Sequence, residues 1–269
     1  MAKDLKPLDA EVTNKNSEKP KSRLYGPVLS ILITLVVYAL GQLLGGLIVG
    51  LVVGYVNHWT PAQVASWLSS GNAYAQFWFV LATEIISVGM IYKFLRWRKS
   101  GFKDIGIGKI KPNYVLYSIV GFGLYFLLFF VVVIVVKLAI PSLDLEQKQE
   151  LGLNMSATGS ALWPYFISLV ILPPIAEEIL VRGFLFGGLR TKLRVWPAAI
   201  IASTLFAAAH LPEASNGLLW VGAIDTFVLS MVLCFLREET KSLWPSIGVH
   251  MIKNGLAFVL LFNVFQYIK

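Results

Sequence analysis

Charge is scarce in this sequence. Only 14% of its 269 residues are Asp, Glu, Lys or Arg, against 57% hydrophobic, and the mean hydropathy is +0.70. Soluble domains carry about 25% charged residues, so a water-facing surface cannot be built from this composition. Cysteine occurs once, at Cys234, which excludes a disulfide within the chain and, in an apolar run, reads as packing. Histidine occurs three times, and the absence of HExxH removes the local zinc-protease signature. Residues 1–24 are polar and the first apolar run is too long for a cleaved h-region, so no secretory leader is expected. The net charge of +8 raises nucleic acid as a partner, but the 23 basic residues gather in short segments between apolar runs. That is the pattern of membrane topology, and no nucleic-acid partner is expected.

What the chain does have is apolar runs of about 20 residues, the length that spans roughly 30 Å of hydrocarbon. Seven can be drawn: 26–56, 74–95, 113–140, 161–190, 195–211, 216–236 and 243–267. The reading is an all-α, polytopic transmembrane bundle of about seven spans, multi-pass in the cell membrane. A disordered cytoplasmic tail, 1–24, precedes a transmembrane domain, 25–269, whose polar motifs fall in 161–267. Eighteen of the 23 basic residues lie in 1–24, 93–112, 190–194 and 237–241, and the alternate connections are nearly bare. The alternation puts the N-terminus inside and the C-terminus outside. Gly46, Gly50 and Gly54, four apart, predict a stripe where another backbone approaches. The segment 101–112 is expected at the inner interface, touching anionic lipid head groups. His58 reads as a surface residue.

The informative residues are polar groups inside apolar runs, each of which costs a few kcal/mol at bilayer depth. They are Glu84, Glu177, Glu178, Arg182, His210, Asp225, His250 and Lys253, with Asn254 beside them. Glu178 and Arg182, four apart with the acid first, predict a salt bridge that holds helices in register. Glu177 points about 100° away and is left to meet a different neighbour. Pro173 and Pro174 predict a helix broken near Leu172 and restarted, with Glu177 near the new N-terminus. That position favours an ionised carboxylate, whereas a dry pocket favours a protonated one, and both remain open. Glu84 reads as a packing or cavity residue, Asp225 has no partner evident in the sequence, and Lys253 is expected to snorkel.

Counted from the inner ends of their runs, Glu177 lies roughly 20 Å deep, His210 roughly 23 Å, and His250 and Asn254 roughly 14 and 20 Å. These groups share one slab of the bilayer.

The stretches "EEILVR", "FAAAH" and "HMIKN", in that order, resemble the three motifs of the CPBP family, the type II CAAX prenyl endopeptidases and their bacteriocin-processing or bacteriocin-immunity relatives. Residues 1–110 carry no such fingerprint. The resemblance implies an intramembrane peptidase in which Glu177 and His210 activate water while His250 and Asn254 stabilise the oxyanion. Glu178 and Arg182 are supporting residues. The bottom-up reading agrees on Glu177, the acid not neutralised by Arg182, and on Asn254, whose amide donors suit an oxyanion. The implied substrate is a peptide or lipid-modified protein met among membrane lipids, with no cofactor. Three alternatives stand beside this reading. Glu177, His210 and His250 have the donor types of a zinc site with an open position. The acids and histidines suit a proton or ion pathway, although no inverted repeat is evident. The fold also suits a non-catalytic immunity or scaffold protein.

Overall fold

The computed structural model describes residues 25–147, 149, 152–213 and 217–264; the expected tail, 1–24, lies outside them. The described chain is helical, with four helices long and apolar enough to cross a membrane: α1 (Pro27–Asn57), α3 (Ala73–Trp97), α4 (Asn113–Ala139) and α9 (Trp220–Thr240). Between the first two lies α2 (Pro61–Ser69), a short helix in what reads from sequence as a plain connection. The fourth apolar run folds as one continuous helical stretch, 162–189. It comprises α5 (Leu162–Phe166), a π-helical turn (Ile167–Ile171), α6 (Leu172–Glu177), a π-helical segment (Glu178–Phe186) and α7 (Gly187–Leu189). Then come α8 (Val195–Ala209) and α10 (Trp244–Leu261). The bundle is an all-α membrane protein, and about seven spans remain the natural division. The shortest candidate, α8, has 15 residues and so spans only about 22 Å.

Local signals set the helix ends. Pro27 opens α1 and His58 closes it in the left-handed region at φ 53°. Thr60 and Gln63 form a reciprocal capping box on α2. The Asn72 side chain accepts the backbone N–H groups of Tyr74 and Ala75 at the start of α3.

The hub is the π-helical segment 178–186, in which every residue is buried. Val37 of α1, Ile91 and Leu95 of α3, Ala198 and Ala202 of α8, Cys234 of α9 and Ile247 of α10 share its apolar cluster. The outer faces of α1 and α4 are the reverse, with Leu32, Val36, Leu43, Val115, Ile119, Phe126 and Leu127 all more than half exposed. Such apolar exteriors are stable only against lipid.

Lipid tails are as apolar as leucine, so helices associate by close packing rather than by hydrophobic expulsion. The close approach of α1 to α3 runs through Gly41 and Gly45, where an added methyl group would strike Ser87 and Thr83. This corrects the expected stripe: Gly46 meets Phe79, and Gly50 and Gly54 meet Val64 of α2, leaving a shallow groove. On the other side of the molecule α4 meets α9 and α10, with Ser118 against Gly248 and donating to the carbonyl of Pro245 at 3.2 Å.

One expectation gains detail and another changes. The segment 101–112 is pinned to the bundle: Ile105 is buried, the carbonyl of Gly106 accepts Leu243 N–H at 3.0 Å, and that of Gly108 accepts Trp244 Nε1 at 2.8 Å. The helix is also not broken near Leu172. The backbone stays helical through Ile171 and Leu172, and the missing proline N–H groups are absorbed by widening to a π turn, in which Leu172 N–H reaches Ile167. Glu177 therefore lies inside a continuous helical run, not at a restarted N-terminus.

Candidate active site

Glu177 ends α6 and Glu178 begins the π-helical segment. Glu178 is fully buried, and its Oε1 accepts Arg182 Nη1 at 2.9 Å, the ion pair expected from their spacing. A pair this deep gains stability only if both partners stay; removing one typically costs about 3–5 kcal/mol. The Arg182 guanidinium also lies 4.6 Å over the Phe206 ring, whose face stabilises a desolvated cation. Phe206 packs edge-on against both His210 and His250. The first residue of "FAAAH" is therefore a wall between the ion pair and the two histidines, a role the sequence marked only by its spacing.

His250, on α10, is buried and bridges the adjacent glutamates. Its Nδ1 lies 3.1 Å from Glu178 Oε1, and its Nε2 lies 3.7 Å from Glu177 Oε2. A carboxylate accepts, so Nδ1 carries a hydrogen and Glu178 fixes the ring's orientation. Glu178 thus serves Arg182 and His250 through one oxygen. His210 sits where α8 ends, with Nδ1 2.8 Å from the carbonyl of Phe206. A carbonyl only accepts, so Nδ1–H donates and Nε2 of the neutral ring is left basic.

Asn254, one turn after His250, donates from Nδ2 to the carbonyl of Leu169 at 2.9 Å. In an α-helix that carbonyl would take the N–H of residue 173, and in a π turn that of residue 174. Both are proline and neither has an N–H.

Glu177, His210, His250 and Asn254 line one cavity of about 140 Å³, large enough for several waters. Three separate stretches of chain thus deliver the four expected residues to one place. Sequence reasoning missed the rest of its wall. Lys253 does not snorkel; its Nζ pairs with Asp225 Oδ2 at 3.0 Å, and the Tyr125 hydroxyl donates to the other oxygen of Asp225. Nothing in the sequence linked Tyr125, Asp225 and Lys253, which come from α4, α9 and α10. Glu84 stays apart, in an apolar cleft with Leu81, Tyr92, Leu172 and Ile175, though within Coulombic reach of Glu177. Among the described residues no three His, Cys, Asp or Glu side chains are grouped closely enough to hold a metal ion, the set Glu177, His210 and His250 included.

Residues 159–256 match the family model described as Type II CAAX prenyl endopeptidase Rce1-like, a range that holds all three motifs. Two Bacillus subtilis (strain 168) proteins are similar over shorter stretches. "Putative membrane peptidase YdiL" is 31% identical over 90 residues, 34% of each chain. "Uncharacterized protein YpbD" is 30% identical over 105 residues, 39% of this chain and 50% of the relative. The chain thus matches between a third and a half of the length of these relatives. No solved structure matches.

Proposed function

With residues 159–256 matching the Rce1-like family, we propose that this chain is an intramembrane endopeptidase that hydrolyses a peptide bond of a membrane-associated, CAAX-like substrate. The observation that carries the reading is the convergence of Glu177, His210, His250 and Asn254 on one cavity.

The chemistry follows from the atoms present. Water held between Glu177 and the basic Nε2 of His210 gives a proton to the Glu177 carboxylate, and its oxygen attacks the peptide carbonyl carbon. The carbonyl electron pair moves onto oxygen. Asn254 on α10 supplies a donor facing that charge, and His250, one turn earlier with its Nδ1–H held by Glu178, supplies a second from Nε2 in its doubly protonated form. One hydrogen of Asn254 Nδ2 is held by Leu169, which fixes the amide and leaves the second hydrogen of the same nitrogen for the oxyanion. Collapse of the tetrahedral intermediate expels the amine, which takes the proton carried by Glu177. Bond-making and bond-breaking balance without a further reactant. Zinc would supply a Lewis acid, but the candidate donors do not close into a set, and no step here passes through a metal.

The test compares membranes holding the wild-type protein with membranes holding Glu177→Gln at equal folded level. New peptide termini, mapped by mass spectrometry, should occur only with the wild type. Identical termini in both would end the peptidase reading.

A further inference from the structure

Three basic segments, distant in sequence, meet at one end of the bundle. Arg190 and Lys241 both reach Glu238, and the carbonyl of Gly106 accepts Leu243 N–H. Segments 93–112, 190–194 and 237–241 together hold twelve Lys or Arg and three acids, so this end is strongly positive. It is also where the spans α3 and α9 finish, at Trp97 and Thr240, which places it at a membrane surface.

Arg237, in the last turn of α9, differs from the rest of this belt. It is half-buried, with its guanidinium laid against Gly106. A methyl group on Gly106 would stand 2.8 Å from Arg237 Cζ, and the φ of 106° there suits only glycine, so glycine is what leaves the room. The adjacent Glu238 is already engaged: Arg190 donates to both of its oxygens, at 3.0 and 2.8 Å, and Lys241 adds a contact at 2.9 Å. Arg237 Nε is shielded from solvent without an acceptor, and among the described residues no acid forms an ion pair with this guanidinium. The Tyr25 hydroxyl lies within Coulombic reach of it and donates to no described residue. A partly desolvated guanidinium is stable when an anion meets it, and here the chain supplies the donors without the anion.

We propose that Arg237 and Tyr25 bind the phosphate of an anionic phospholipid. Phosphate oxygens accept the paired hydrogens of a guanidinium, and a hydroxyl beside it offers a further donor. Head groups of anionic lipids bring phosphate to the depth where a span ends. The site also reaches the hub of the fold. Ile105, beside Gly106, and Leu243 both pack on Gly183, and the Tyr25 ring stacks on Phe184 at 4.3 Å. A lipid held here clamps 101–112 and the approach to α1 onto the π-helical segment that carries Glu178 and Arg182. It therefore stabilises the folded state by mass action.

The experiment titrates phosphatidylglycerol into the full chain in zwitterionic detergent micelles and reads the unfolding midpoint. Phosphatidylcholine and inorganic phosphate are parallel titrants. The wild-type midpoint should rise to saturation with phosphatidylglycerol and stay level with the other two. Arg237→Lys keeps the charge and loses the fork, so half-saturation should need roughly 10- to 100-fold more lipid, the scale of charge-assisted hydrogen bonds. Tyr25→Phe keeps the stacked ring and should weaken binding about 2- to 10-fold, the scale of one neutral hydrogen bond. Lys109→Gln, at an exposed position of the belt, should matter less, and its effect should vanish in high salt while that of Arg237→Lys persists. Unchanged half-saturation in folded Arg237→Lys and Tyr25→Phe, or a wild-type rise that high salt abolishes, would reduce the effect to diffuse attraction and overturn the site. An equal rise with inorganic phosphate would overturn the lipid assignment.

Discussion

The side-chain amide of Asn254 donates to the backbone carbonyl of Leu169, which Pro173 and Pro174 have stripped of both its helical donors. Two sequence features that read as separate, a proline pair and a motif asparagine, are therefore the two halves of one hydrogen bond. The prolines leave a buried acceptor without its helical donor, and a side chain from another helix meets it. The same bond fixes Asn254 at the cavity wall.

This coupling predicts a double-mutant cycle. Asn254→Ala should destabilise the protein by about 1–3 kcal/mol because it orphans a buried acceptor. Pro173→Ala returns an N–H to the position four residues beyond Leu169. In that background Asn254→Ala should cost less by about 0.5–1.5 kcal/mol, measured by unfolding in detergent micelles. An equal cost of Asn254→Ala in both backgrounds would show that the carbonyl is satisfied elsewhere.

The two glutamates should separate by role. Arg182→Ala leaves Glu178 at depth with no cation and should lower folded yield sharply, consistent with about 3–5 kcal/mol for breaking a buried pair. Glu177→Gln is nearly isosteric and should keep the yield while removing turnover. Similar losses of folded protein in both variants would favour a structural network over catalysis.

Orientation is a separate prediction, drawn from the 18 of 23 basic residues in the four segments assigned to the inside. A reporter inserted at Lys103 should be cytoplasmic and one fused after Lys269 extracytoplasmic. Both on the same side would break the seven-span arrangement.

These predictions divide by what the sequence could carry. Spans were legible because hydrocarbon thickness imposes a length on apolar runs, and Glu178 with Arg182 because helical periodicity makes residues four apart neighbours. The gathering of Glu177, His210, His250 and Asn254 was legible as a shared depth and as a motif set. The bridge from His250 to both glutamates was not. It depends on the angle of α10 against a helix whose π-helical geometry departs from 3.6 residues per turn, and on Glu178 accepting two donors at one oxygen. The Tyr125, Asp225 and Lys253 network was hidden for another reason: each residue is alone in its own run, with no spacing to connect them. The proline pair misled in a specific way. A π turn costs the helix one register step, whereas a break would have left several backbone groups unpaired in lipid. The glycine stripe was misplaced, since Gly41 and Gly45 face the backbone of α3 closely, whereas Gly46 meets only the Phe79 ring and Gly50 and Gly54 turn toward α2.

The last prediction concerns how water is activated. In the reading without metal, His210 offers Nε2 because Phe206 holds its Nδ1–H, and Glu177 takes the proton. His250 is already held by Glu178, and the same reading assigns it with Asn254 to the oxyanion. Loss of one oxyanion donor typically lowers turnover by about 100- to 1000-fold. Asn254→Asp keeps the size of the side chain and replaces its donor nitrogen with an acceptor, so it should fall within that range. His210→Gln and Glu177→Gln should be at least as severe, and strong chelators should leave wild-type turnover unchanged. In the zinc reading Asn254 is peripheral, chelators inactivate, and His210→Ala and His250→Ala strip the ion. Elemental analysis of the active wild-type protein decides between them. One zinc per chain, lost in His250→Ala together with activity, would reverse the assignment of Glu177 and His210 from water-activating groups to ligands.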